Sequence, residues 1–192
     1  GATPGVPWQD LAPDASLTGA GLELLDAEAL TSEGRWPLMT RESATDQPDD
    51  PFMVESTAAR SGTHPLTGDE LLPPDAEAHN AVNGRENLVE GFDLQPACLF
   101  ALPEPVDCAQ IDCVCLSEDL GKCEPPGGGD AGPLQYSDQA YPSLRELEVL
   151  RAIGQSAVVG SACPKVLDES DADHGYAPVL RAFGDRLRDT LE

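Results

Sequence analysis

Basic residues are scarce in this chain: 11 Lys and Arg stand against 35 Asp and Glu among 192 residues, a net charge of −24. Such a field repels phosphate backbones and anionic lipid, which disfavours nucleic-acid and membrane-surface binding. Small cations and basic surfaces are the partners it tolerates. Aromatic residues are sparse as well, at 5%. Leu, Ile, Val and Phe supply only 41 residues, just above the share below which a chain cannot bury enough apolar surface to fold. No apolar run nears the roughly 20 residues that span a bilayer. Also missing are the C-x-x-C of a redox centre and the G-x-S-x-G of a hydrolase elbow. The three histidines, His64, His79 and His174, lie scattered among loop residues. Gly127–Gly129 precede no helix, so they do not form a phosphate cradle.

The chain does have turn formers, 18 Pro and 18 Gly. Sixteen of the prolines lie at or before Pro142, and there one good helix is expected, over 24–34, with Asp26 as N-cap, Leu25 and Leu30 inward and Gly34 as its stop. Pro65–Asp69, Pro73-Pro74 and Asn83-Gly84 read as turns. Phe52, Met53, Val54, Phe92, Leu94, Leu99 and Phe100 read as anchors pinning the loops to a body, as do Trp8 and Trp36. "EPPGGGDAGP" (124–133) reads as a flexible joint.

Beyond the joint the pattern is regular. A helix is predicted over 143–154, opened by a Ser143/Glu146 capping box, with Leu144, Leu147, Leu150 and Ile153 at helical spacing and Gly154 at C′. "AVVGSACP" predicts a buried strand over 157–163. A helix over 178–191 follows, with Pro178 at N1 and Val179, Leu180, Phe183, Leu187 and Leu191 on one stripe. Helix, buried strand, helix is the unit of a doubly wound α/β fold. One strand makes no sheet, and 1–142 supplies poor strand candidates, so the missing strands are expected upstream of Gly1. The chain then divides into a loop-rich, cysteine-containing insertion (1–134) and an α/β unit (135–192), together one incomplete domain of a fragment or processed form.

Five of six cysteines fall within 98–123, spaced C-x9-C-x4-C-x-C-x7-C, with Cys163 apart. Zinc sites use C-x2–4-C pairs, whereas an extended Cys113-x-Cys115 points its sulfurs apart and no histidine lies nearby. An even count in a chain short of core points to disulfides among Cys98, Cys108, Cys113, Cys115, Cys123 and Cys163, and so to an oxidising compartment. Spacing does not choose among the fifteen pairings. A bridge from Cys163 into the cluster would staple insertion to body, with Cys98 the preferred partner.

The stretches "DPFMVESTAARSGTHPLTG", "DLQPACLFALPEPVDC", "CVC", "YPSLRELEVLRAIGQSAVVGSACPKV" and "GYAPVLRAFGDRL" resemble the C-terminal part of myxobacterial-type envelope proteins with a von Willebrand factor A (vWA) domain. The resemblance runs over nearly the whole chain, although its motifs are descriptive rather than catalytic. It implies an extracytoplasmic α/β domain expanded by a cysteine-rich insertion. The fold of that family is associated with a D-x-S-x-S metal site for Mg²⁺ or Ca²⁺. Asp14, Ser16 and Thr18 match that spacing loosely, but no buried strand precedes them, and capping or turn use of Asp14 and Ser16 is the competing reading. Asp168, Ser170, Asp171 and Asp173 alternate like a calcium loop but lack its bidentate Glu, which favours a solvated loop.

The reading is a non-enzymatic, secreted or surface-anchored binding or structural module, with no catalytic residues, no cofactor, and a protein or cell-surface ligand. The alternatives are an extracellular hydrolase fragment using acids such as Glu55, Asp69 or Glu86, and a calcium-dependent adhesion module.

Overall fold

A ten-residue strand containing two prolines organises this molecule. The computed structural model describes residues 2–3, 27–32, 34–65, 67–88, 93–111, 113, 115, 120–126, 129–164 and 166–191. The elements in order are β1 (Ala2–Thr3), α1 (Ala27–Ser32), α2 (Trp36–Met39), β2 (Cys98–Asp107), α3 (Leu120–Cys123), β3 (Leu134–Ala140), α4 (Leu144–Ile153), β4 (Gly160–Ser161) and α5 (Ala177–Leu191). The architecture is mixed α/β.

β2 and β3 pair antiparallel, from Cys98↔Ala140 to Asp107↔Leu134. Neither was expected, because Pro103 and Pro105 demote β2 as a strand and "LQYSDQA" carries little apolar alternation. The register explains how the prolines are accommodated. It shifts between Ala101↔Ser137 and Val106↔Gln135, so residues 102–105 form a bulge where absent N–H donors break no ladder bond. Residues 1–142 therefore do supply strands. β2 is also tied back by Leu99 N–H donating to Val82 O at 2.8 Å.

The second strand pair is small and parallel, Ala2↔Gly160 and Thr3↔Ser161. The strand expected over 157–163 is thus two residues long, although Ala157–Ser161 are all buried. Gly160 is required by packing. A Cβ there would overlap Val179 Cγ2 of α5, so its hydrogen lets the helix approach closely.

α4 begins and ends near the predicted positions, but its start works differently. Ser143 makes no side-chain capping bond: its ψ of 62° falls short of the extended geometry that aims Oγ at the N3 amide. Its carbonyl accepts Leu147 N–H at 3.1 Å instead. Gly154 ends the helix at φ 72°, its N–H bonded to the carbonyls of Leu150 and Arg151. α1 is stopped by Gly34 at φ 66° as expected, whereas Leu25 and Asp26 lie outside the described residues. α5 starts one residue before Pro178, which is buried.

Two apolar clusters form the core. One gathers Leu30, Trp36, Met39, Met53, Ala97, Leu147 and Val159, and so joins α1, α2 and the 51–53 turn to α4. Arg151 of α4 also covers the Trp36 ring, 5.6 Å from its centroid. The other gathers Phe52, Leu71, Val82, Cys98, Ala140 and Cys163. Of the expected anchors, Trp36, Phe52 and Met53 are fully buried; Val54, Leu94, Leu99 and Phe100 are half-buried. Trp8 and Phe92 lie outside the described residues.

All six cysteines are bridged: Cys98–Cys163, Cys108–Cys113 and Cys115–Cys123, with Cα separations of 6.3, 5.1 and 5.6 Å. The first joins β2 to the segment after β4 inside the second cluster, across the 134/135 division. The other two are local clips on the far end of the hairpin. At the end of the 124–133 segment, Gly132 N–H bonds Cys123 O at 3.4 Å and Cys108 N–H bonds Pro133 O at 2.9 Å.

Candidate functional site

Loops without ladders must satisfy their backbone groups with side chains, and here the few cations do much of that. Arg60, 4% exposed, grips Glu86, 0% exposed, in a bidentate pair at 2.9 and 2.8 Å. The same guanidinium donates to the carbonyls of Phe52, Val54 and Pro96. Glu86 further accepts from Arg60 N–H at 2.7 Å and Asn83 Nδ2 at 2.9 Å. Asn80 builds the adjoining turn by accepting from Val82 N and Asn83 N, both at 2.8 Å. Gln95, fully buried, exchanges two bonds with the Asn87 backbone at 2.7 and 2.8 Å.

His64 is used the same way. Its Nδ1 accepts Thr67 N–H at 3.1 Å, Nε2 lies 3.2 Å from Asp50 Oδ2, and its ring stands edge-on to Phe52. Burial lowers its pKa, opposed by the lesser attraction of Asp69. The bond from Thr67 N–H requires a bare Nδ1, so the ring is neutral. The ring thus ties Asp50, Phe52 and the Thr67 amide together in the loop core. Of the acids named for the hydrolase alternative, Glu86 is held by Arg60, Glu55 is exposed, and Asp69 accepts Ala81 N–H at 3.4 Å.

Of the six metal candidates, Asp14, Ser16 and Thr18 lie outside the described residues. Asp168 accepts from Ser170 N and Oγ at 2.9 and 2.7 Å, which lowers its carboxyl below the ordinary range. Asp171 accepts Asp173 N–H at 2.8 Å, and Asp173 pairs with Arg181. These acids cap turns and anchor α5. Among the described residues, no group of three or more His, Cys, Asp and Glu is placed to hold a metal ion.

What remains is a groove against the hairpin, of about 410 Å³. Leu99, Phe100, Pro125, Pro126 and Tyr136 provide an apolar lining, and Glu77, His79, Glu124 and Ser137 the polar groups. Glu124 is fixed from both sides, Oε1 by Arg85 at 2.5 Å and Oε2 by His79 at 3.0 Å. Glu77 is exposed. A second cavity of about 350 Å³ shares Leu99, Phe100 and Ala101 and reaches Asp69 and the Cys98–Cys163 bridge. Sequence reasoning missed this groove, because it depends on β2 and β3 pairing. The one available signal was an acid, Glu124, beside two prolines in a segment otherwise read as a joint.

No protein-family model matches the chain, and neither a curated protein nor a solved structure matches it. The fold and site define a mixed α/β protein with three disulfides and an acidic, apolar-lined groove. Among the described residues, no helix is long and apolar enough to cross a membrane.

Proposed function

We propose that this chain is a non-enzymatic binding module of a secreted or surface-anchored envelope protein, its α/β part a vWA-like unit. The groove on the hairpin takes a basic side chain from an extended segment of its protein ligand. The carrying observation is the pairing of an apolar lining (Leu99, Phe100, Pro125, Tyr136) with the exposed carboxylate of Glu77, beside a Glu124 that Arg85 and His79 already hold in place. A Lys or Arg side chain needs that combination, a surface for its methylenes and an anion for its head. Three disulfides and no free cysteine support an oxidising, extracytoplasmic setting. The order α4–β4–α5, with β4 in a parallel pair, supports the vWA-like reading.

The test is calorimetric titration with a short Lys-containing peptide at physiological salt. Glu77→Lys weakens binding roughly tenfold, while the same reversal at exposed Glu169 leaves it unchanged. Equal weakening by both would reduce the interaction to bulk charge and overturn the groove.

A further inference from the structure

The groove and the second cavity share a wall, because Leu99, Phe100 and Ala101 of β2 line both. Along a strand, successive side chains turn to opposite faces. Cys98 and Phe100 turn to the second apolar cluster and, through the Cys98–Cys163 bridge, to the second cavity. Ala101 takes the other face with its cross-strand partner Ser137, which lines the groove. The two hollows therefore lie on opposite sides of one strand edge.

That edge is open for one residue. Leu99 N–H donates to Val82 O rather than across to β3, so the backbone groups of Leu99 point away from the hairpin partner. Ala101, two residues on and exposed, directs its N–H and C=O the same way. Among the described residues none takes them up. Val82 occupies the edge at Leu99, and beyond Ala101 comes Pro103, which has no N–H to offer. A strand added here gains one pair of backbone bonds, so side chains decide what binds.

Both hollows offer the same chemistry. In the groove, the exposed Glu77 stands beside an apolar lining. In the second cavity, the half-buried Asp69 stands beside Val82, Pro164 and Leu167. Asp69 Oδ1 accepts the long bond from Ala81 N–H at 3.4 Å. The His64 ring that attracts Asp69 is kept neutral by the bond from Thr67 N–H, so it does not cancel the charge.

We infer, resting on the groove reading above, that the ligand segment carries two consecutive basic residues. It lies along the outer edge of β2 and pairs its backbone with Ala101. One basic head reaches Glu77 in the groove and the next reaches Asp69 in the second cavity. Adjacent residues of an extended chain turn to opposite sides, whereas residues two apart turn to the same side. A net charge of −24 attracts any basic segment, but two acids on opposite sides of one edge select the adjacent pair.

Calorimetric titration of the intact, oxidised protein at physiological salt tests this. Two end-blocked peptides of equal composition are compared, one with adjacent lysines and one with a serine between them, alongside a single-lysine peptide. The adjacent pair binds roughly tenfold tighter than the separated pair. Asp69→Asn keeps Oδ1 for the Ala81 amide; it abolishes that advantage and leaves single-lysine binding and the near-ultraviolet circular dichroism unchanged. No advantage for adjacent lysines, or an advantage that survives Asp69→Asn, would overturn the inference. Neither result touches the groove reading, which is decided separately by the effect of Glu77→Lys on the single-lysine peptide.

Discussion

Replacing Cys98 and Cys163 together with alanine tests the claim that one bridge fastens the hairpin to the α/β body. The bridge spans 65 residues of sequence, against five for Cys108–Cys113. Loop-closure entropy assigns about 4 kcal/mol to the long loop and about 2 kcal/mol to the short one. The two local clips inside the long loop shorten its effective contour, but the dependence is logarithmic and the figure hardly changes. Both cysteines are also buried, at 1% and 4% exposure within the second cluster, so truncation adds a packing loss. The expected cost is therefore at least twice that of the Cys108→Ala/Cys113→Ala control. It is also a large part of a total stability of about 5–15 kcal/mol. Urea denaturation followed by near-ultraviolet circular dichroism measures both variants at equal protein concentration. Equal costs, or a larger cost for the control, would refute the staple.

Three further outcomes follow from the loop core and from α5. Glu86→Gln leaves the Arg60 guanidinium buried without its counter-charge, at a cost of about 3–5 kcal/mol by denaturant titration. The lowered pKa of His64 makes stability pH-dependent. The unfolded ring takes a proton near about 6.5 and the folded one resists, so this contribution is complete above that value and is lost as pH falls toward the folded pKa. The melting temperature of the wild type, minus that of His64→Gln, should fall between neutral pH and about pH 5. Gly160→Ala forces Val179 and α5 away from β4 and should destabilise by about 1–3 kcal/mol, read by thermal melting.

Three of the five helices were legible because local signals agree with tertiary packing, whereas the four-residue α2 and α3 are too short to leave a periodic signal. Leu144 and Leu147 recur at helical spacing and are buried, and Gly34 and Gly154 take the positive φ that their stop positions require. That Cys163 reaches back to the cluster was legible because a strand end and a distant cluster needed one covalent link, whereas Cys98 as its partner was a preference that the sequence did not derive. β2 was not legible, because Pro103 and Pro105 argue against a strand locally and only the bulge opposite β3 accommodates them. The groove was lost with it. Periodicity grouped Leu180, Phe183, Leu187 and Leu191, which all face outward, but Val179, expected on the same stripe, packs against Gly160. The burial of Arg60 and Glu86 is a long-range fact, 26 residues apart in sequence, and composition marks it only by making each cation scarce.

The account rests on the cysteines being cross-links, with Cys98–Cys163 the one that joins hairpin to body. Peptide mapping by mass spectrometry, without reduction, of protein purified from an oxidising compartment tests this directly. The predicted result is three linked fragments, Cys98 with Cys163, Cys108 with Cys113 and Cys115 with Cys123. Free thiols at Cys98 and Cys163, or Cys163 linked elsewhere in the cluster, would contradict it.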